Sequence, residues 1–415
     1  MEERMNRPQG MTKLWASGLL ATGLLEAMLL AGTCIAQSGV HSVSQSVLRA
    51  DKFKGSDAGE KITQCVAALP GTGGVCDARN LAGPQQSAAG FTVGSATKPV
   101  QLMLGPTTLI VAKTIVVQAR SSIIGLPSAS GIGSYQGVTV IKARDGAGAN
   151  LPAVVQVEGA HAVLQDVTVD GNKAKNSGQG IGLLVNRQER ADLTRVTVQN
   201  APGDGIVFVS GNKQEACCAK LMNVMAIENG QSGLHIENSN DLFISMSEFE
   251  NNGASGVDLD GASGIRIEHS DFGGNHGDGL SLHGTPDIPA NHGIFVGNQF
   301  GNNYRADVNI AGTNGGQASV GHMISSNEFL SGIYRNGGKY DSIHIVDSGY
   351  NVIAGNSFFA GPGHEFTSCV NISGKREKQD HVSNNICLGT GSGSKNSFIG
   401  TSSTAFSGNQ GETRQ

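Results

Sequence analysis

Gly233-Leu-His-Ile-Glu237, Gly256-Val-Asp-Leu-Asp260 and Gly279-Leu-Ser-Leu-His283 repeat one phrase: a glycine, then a strand with apolar residues at every second position. The phrase extends back to Gly205-Ile-Val-Phe-Val209 and forward, without its glycine, to Val308-Asn-Ile310, Ile343-His-Ile345 and Val370-Asn-Ile372. A second strand closes each later unit, in Val296-Gly-Asn-Gln-Phe300, Ile324-Ser-Ser-Asn-Glu-Phe329, Ile353-Ala-Gly-Asn-Ser-Phe358 and Val382-Ser-Asn-Asn-Ile-Cys387. Its asparagine recurs at Asn298, Asn327, Asn356 and Asn385, 29 residues apart each time. Units of this length are too short for a βαβ crossover and suit one turn of a β-solenoid. Equivalent residues of stacked coils then sit one strand spacing apart, about 4.8 Å.

A coil cannot bury its inward apolar residues alone and does so against the coils above and below. Stacking therefore predicts an internal file of Phe249, Phe272, Phe300, Phe329 and Phe358. It also predicts asparagine ladders that satisfy backbone groups left unpaired at the bends. One is expected at Asn229, Asn251, Asn275 and Asn302. Sixty glycines and only 15% charged residues agree with many tight bends. The net charge of −5 comes without any run of Lys and Arg, which argues against a nucleic-acid partner.

At the N-terminus, Arg4, Arg7 and Lys13 lead into an apolar stretch from Leu14 to Ala36, interrupted by Glu26. Residues 1–36 read as a secretory signal cleaved after Ala36, with Met1 or Met11 as the start and Cys34 as a competing lipidation site. Residues 37–50 read as a linker, 51–390 as one solenoid domain and 391–415 as a low-complexity tail. The expected location is extracellular or periplasmic, with no membrane attachment once the signal is removed. Cys65, Cys76, Cys217, Cys218, Cys369 and Cys387 remain, an even count for an exported chain. Cys65–Cys76 and Cys369–Cys387 are the expected disulfides, each near one end of the solenoid. A bond between the adjacent Cys217 and Cys218 is expected to be strained.

Within 51–83, Asp57 to Leu69 reads as a helix that Asp57 caps and Pro70-Gly71 ends, with Ile62, Cys65, Val66 and Leu69 on one stripe. It is expected to cover the open end of the solenoid, with Gly73 to Arg79 as first strand. Phe53-Lys-Gly-Ser-Asp-Ala-Gly59, Leu69-Pro-Gly-Thr-Gly-Gly-Val75, Val100-Gln-Leu-Met-Leu104, Thr114-Ile-Val-Val117 and Ser122-Ile-Ile-Gly125 resemble the N-terminal segment of pectate lyase-like right-handed β-helix proteins. The later coils resemble that superfamily's repeat. The resemblance covers roughly residues 50 to 390. It implies an all-β, single-stranded right-handed parallel β-helix with an N-terminal capping helix, in a superfamily of secreted polysaccharide-cutting or polysaccharide-modifying proteins, phage tailspikes and adhesins. No branch signature is complete. Arg266-Ile-Glu268 and Asn291-His-Gly293 only echo polygalacturonase motifs, and the alginate epimerase Asp-Pro-His is absent.

If the apolar residues of the first strand point inward, their neighbours form two outward files. One holds Val207, His235, Asp258, Ser281, Asn309 and His344; the other holds Val209, Glu237, Asp260, His283, Ala311 and Val346. Asp258, Asp260, His283 and His235 are the candidate catalytic residues, with Glu237, Asn309 and His344 as candidate substrate contacts. Two carboxyl groups about 5 to 9 Å apart suit glycoside hydrolysis. Alternatively, Glu237, Asp258 and Asp260 would hold Ca²⁺ against a uronate while His235 or His283 removes a C–H proton, giving β-elimination. Arg266 or Lys220 would neutralise substrate charge. Asp204 and Asp278 read as turn residues. The loops Gly284 to His292 and Gly312 to Gly321 are expected to wall the patch. The expected partner is a polysaccharide or oligosaccharide; hydrolase, lyase and non-catalytic carbohydrate-binding solenoid remain open, as does the oligomeric state.

Overall fold

The computed structural model describes residues 46–127, 137–148, 151–186, 190–210, 217–284, 288–312, 319–331, 340–361, 363–374, 379–388, 397–411 and 413–414. The expected signal and Cys34 lie outside them.

Every strand pairing is parallel, and each complete coil contributes three short strands. One falls in a thirteen-stranded sheet, sheet I, which runs from Thr92–Val93 to Thr413–Arg414. The other two fall in sheet II, where two ladders run side by side. Arg266–Glu268 belongs to one and Asp271–Gly273 to the other, paired onward to Ile294–Val296 and Gln299–Gly301 respectively. The short, twofold-alternating strands follow from the sequence phrase, since only every second side chain has an interior to enter.

Phe249, Phe272, Phe300, Phe329 and Phe358 form the expected internal file, with successive ring centroids 5.4, 4.5, 5.0 and 4.6 Å apart. All five are fully buried, so each ring contributes area and an offset contact to its neighbour.

The bends carry the expected ladders, with one change of register. Asn229, Asn252, Asn275 and Asn303 form the chain, each Nδ2–H donating to the next Oδ1 at 2.9 to 3.1 Å. The expected members Asn251 and Asn302 sit one position earlier, with φ of +54° and +59°. Asparagine is there because it tolerates the left-handed turn, and the residue after it points inward. A second ladder runs Asn298, Asn327, Asn356, Asn385 and on to Asn409. Asn409 belongs to a further coil, with Phe398–Ile399 and Ala405–Ser407, inside the segment expected to be a tail; Phe398 is fully buried and holds it down.

At the other end the first strand is Val47–Arg49, within the expected linker, and it pairs with Gly74–Ala78. The helix Ala58–Ala68 covers this end, its first turn capped by Asp57, whose Oδ1 accepts the Glu60 N–H at 2.8 Å. Cys65–Cys76 and Cys369–Cys387 are bonded. Cys217 and Cys218, whose pairing the sequence left open, are bonded too, and Cys218 takes φ of +66°, a left-handed bend.

Candidate active site

The glycine before the sheet I strands that begin at Ile206, Leu234, Val257 and Leu280 lets these coils close up. A Cβ on Gly256 would stand 2.7 Å from the Gly279 carbonyl oxygen and 2.8 Å from Asn275 Nδ2. With that clearance the strands stack in strict register. His235, Asp258, Ser281, Asn309 and His344 are successive partners, as are Glu237, Asp260 and His283. Leu234, Ile236, Val257, Leu259, Leu280 and Leu282 are buried, so both expected files face outward.

Three of the four candidate catalytic residues converge. His283 donates Nε2–H to Asp258 Oδ1 at 2.9 Å, and its Nδ1 faces Asp260 Oδ1 at 3.5 Å. The hydrogen bond to Asp258 holds the His283 pKa above the ordinary 6.5, more than offsetting its partial burial. His235 turns elsewhere. Its Nδ1 lies 3.7 Å from Asp204 Oδ2, an ion-pair distance rather than a hydrogen bond, and its Nε2 is buried without a hydrogen-bond partner. Asp204, with Asp258 and Glu237 nearby, raises the His235 pKa as well. Both imidazoles thus hold a proton more tightly than a free histidine, which works against the expected role of neutral base.

The calcium reading does not fit this donor set. Among the described residues no three His, Cys, Asp or Glu side chains gather as a metal requires, and the His283 ring stands between Asp258 and Asp260 where the cation would sit. The expected charge-neutralising residues are also misplaced: Lys220 and Arg266 lie on sheet II, and Arg266 pairs with Glu268 at 3.4 Å. From Ile181–Asn186 to Val370–Ser373, the outward positions of sheet I hold no Lys or Arg.

Asn309 and His344 line a pocket of about 180 Å³ with Asp278, Arg305, Tyr340 and Asp341. Of the expected walls, Ala290–Asn291 and Ser319–Val320 pair with each other, and Ile288 packs over Gly261 directly after Asp260. Residues 285–287 and 313–318 of those loops lie outside the described residues.

Sequence reasoning placed Asp204 and Asp278 in turns but missed what such acids do there, and passed over Asp341. Asp278 is only 4% exposed and accepts the Ala306 N–H at 3.0 Å and Asn309 Nδ2–H at 3.1 Å. Asp341 accepts Asn371 Nδ2–H at 2.9 Å in the same way. The available signal was spacing: each acid precedes by about thirty residues an outward polar side chain of the next coil, Asp204 before His235 included. A second cleft, of about 480 Å³, lies on sheet II between Glu248, Asp271, His269 and Gln299; there burial and the neighbouring Glu248 push Asp271 up to about 6.

These coils and this outer face define a fold class, the right-handed parallel β-helix. The family described as "Right handed beta helix region" matches residues 179–358. The chain is similar in structure to the A-module of the Azotobacter vinelandii mannuronan C-5 epimerase AlgE6, at 14% identity and a TM-score of 0.62, over 89% of this chain and 96% of that one. It is similar to the AlgE4 A-module of the same organism at 14% identity and a TM-score of 0.52, covering 80% and 99%. Tailspike gp49 of Acinetobacter baumannii bacteriophage Fri1, a capsular polysaccharide depolymerase, matches at 11% identity and a TM-score of 0.52, covering 90% of this chain and 64% of that one. No curated protein sequence matches the chain.

Proposed function

We propose that this is an exported carbohydrate-active enzyme that hydrolyses a glycosidic bond of a polysaccharide on the outer face of sheet I. The observation that carries the reading is His283 set between Asp258 and Asp260. The proton on Nε2 is committed to Asp258, whereas the one on Nδ1 is more loosely held and is the one to pass to the departing glycosidic oxygen. Asp260, the more open carboxylate at 38% exposure, takes a proton from water as its oxygen bonds to the anomeric carbon and the glycosidic C–O bond breaks. Elimination from a uronate is less well supported, because it needs a cation at the sugar carboxylate: the outward strand positions around His283 carry no Lys or Arg, the nearby Arg305 answers Asp278, and no metal-donor set gathers among the described residues. Three disulfides support an oxidising compartment, and the polysaccharide-acting proteins that share the fold agree with the substrate class.

The test is a screen of the purified protein against plant, algal and bacterial polysaccharides, following reducing ends and unsaturated products separately. New reducing ends without unsaturation are expected, lowered but measurable in Asp258→Asn and lost in Asp260→Asn, with both variants still folded. Unsaturated products, or full activity in both variants, would remove the mechanism. Glycan binding with no product at all would favour the non-catalytic solenoid.

A further inference from the structure

We infer that the pocket formed by Asp278, Arg305, Asn309, Tyr340, Asp341 and His344 is a subsite for one uncharged sugar ring, adjacent to the reacting bond. This rests on the reading of sheet I as the catalytic face and adds to it the charge class of the substrate.

Position comes first. Asn309 and His344 continue the file of Asp258 and Ser281 along the solenoid. The pocket therefore begins one coil beyond His283, about 4.8 Å along the axis. A glycan lying along the file advances roughly one coil for each sugar, so the ring beside the cleaved bond falls here. A volume of about 180 Å³ admits one such ring and little more.

Charge comes second. The Asp278 carboxylate is not itself a ligand: it is buried and already receives the Ala306 N–H, Asn309 Nδ2–H and, at 3.8 Å, the Arg305 guanidinium. Its effect is to fix the Asn309 amide with Nδ2 turned down and Oδ1 left to accept a sugar hydroxyl. Asp341 is held similarly by Ser368 Oγ–H at 2.6 Å and by Asn371. Arg305 answers Asp278, whose pKa burial pushes up, while Asp341 meets Ser368 and Asn371; His344 is the other basic group of the lining, so the pocket offers a uronate no guanidinium that is not already facing a carboxyl group. A uronate is therefore disfavoured against a neutral ring. Tyr340, 37% exposed, offers an aromatic face to the apolar side of a pyranose.

The test is isothermal titration of the full chain with hexasaccharides in matched pairs: β-1,4-mannohexaose against its uronate counterpart, and cellohexaose against hexaglucuronate. The tightest binder is expected to be neutral, by about tenfold over its acidic partner, and both Asn309→Ala and Asp278→Asn should weaken it by about tenfold. The surface change Asn309→Ala guards against a folding defect at buried Asp278, and the melting temperature of each variant is recorded. A uronate as tightest binder, no binding by any hexamer, or affinities within about twofold of the parent in both variants overturns the inference. His283→Ala separates the two claims. If it abolishes turnover and leaves the affinity unchanged, both stand. If the parent binds neutral hexamers without cutting any glycan, the subsite survives and the hydrolytic reading falls.

Discussion

His283 donates Nε2–H to Asp258 at 2.9 Å although 25 residues separate them, because Asp260 and His283 hold the same register position on successive coils. The ring that results bridges two carboxylates of one strand. Its chemistry belongs to the stacking rather than to any local motif.

Replacing His283 with Ala should lower turnover by about 10²- to 10⁴-fold, the range for a positioned proton donor, with the far-ultraviolet circular dichroism unchanged. Because the His283 pKa is raised, the alkaline limb of the parent's pH–rate profile should lie above the ordinary 6.5. In Asp258→Asn the largest cause of that shift is gone, so the limb should move toward lower pH. An unmoved limb would exclude His283 as the titrating acid.

Asn327→Ala should destabilise the chain by about 3 kcal/mol in urea unfolding. It strands the Asn298 N–H and Nδ2–H, both of which donate to Asn327 Oδ1, and removes the Nδ2–H that the Phe295 carbonyl accepts in the interior. A loss below about 1 kcal/mol would mean that water replaces the ladder.

His322 sits in a third ladder, fully buried. Its Nδ1 accepts the Gly293 N–H at 3.0 Å, so the neutral ring carries its proton on Nε2, which meets Ser319 Oγ at 2.8 Å. Burial pushes its pKa down to about 3 from the ordinary 6.5. Between those values the unfolded chain binds a proton that the folded chain refuses, so stability falls as pH drops from about 6.5 toward 3. His322→Asn should flatten this acid limb while lowering stability at pH 7; an unchanged limb would assign it to other groups.

Asp271 titrates in the opposite sense. Its folded value of about 6 exceeds the ordinary 3.8, so the folded state holds the proton more tightly. Its contribution to stability is full below 3.8 and is lost as pH rises through 6. Asp271→Asn should therefore gain stability over the parent at pH 7.5 and match it at pH 3.5, by thermal unfolding at each pH. Equal differences at both values would contradict the proton assignment.

The period-two strands, the phenylalanine file and the two outward files were legible in the sequence because each is set by alternation, and alternation survives any small error of phase between coils. Asn251 against Asn252 was not legible. Two adjacent asparagines fit the pattern equally, and the backbone decides which takes the left-handed turn and which points inward. The tail was misjudged for a related reason: Gly and Ser predominate in it, yet one buried Phe398 and one ladder residue, Asn409, suffice to add a coil.

By itself the sequence determined that this chain stacks its coils and that His235, Glu237, Asp258, Asp260 and His283 share one face, since register follows from where the apolar residues must go. Only the tertiary structure decided which of them touch. It placed His283 between the two aspartates, sent His235 to Asp204, turned Lys220 and Arg266 to another sheet, and made Asp278 a buried anchor for Asn309. Such choices depend on side-chain rotamers and on bends between strands, where an offset of one residue redirects a charge, and the apolar alternation that sets the register does not encode them.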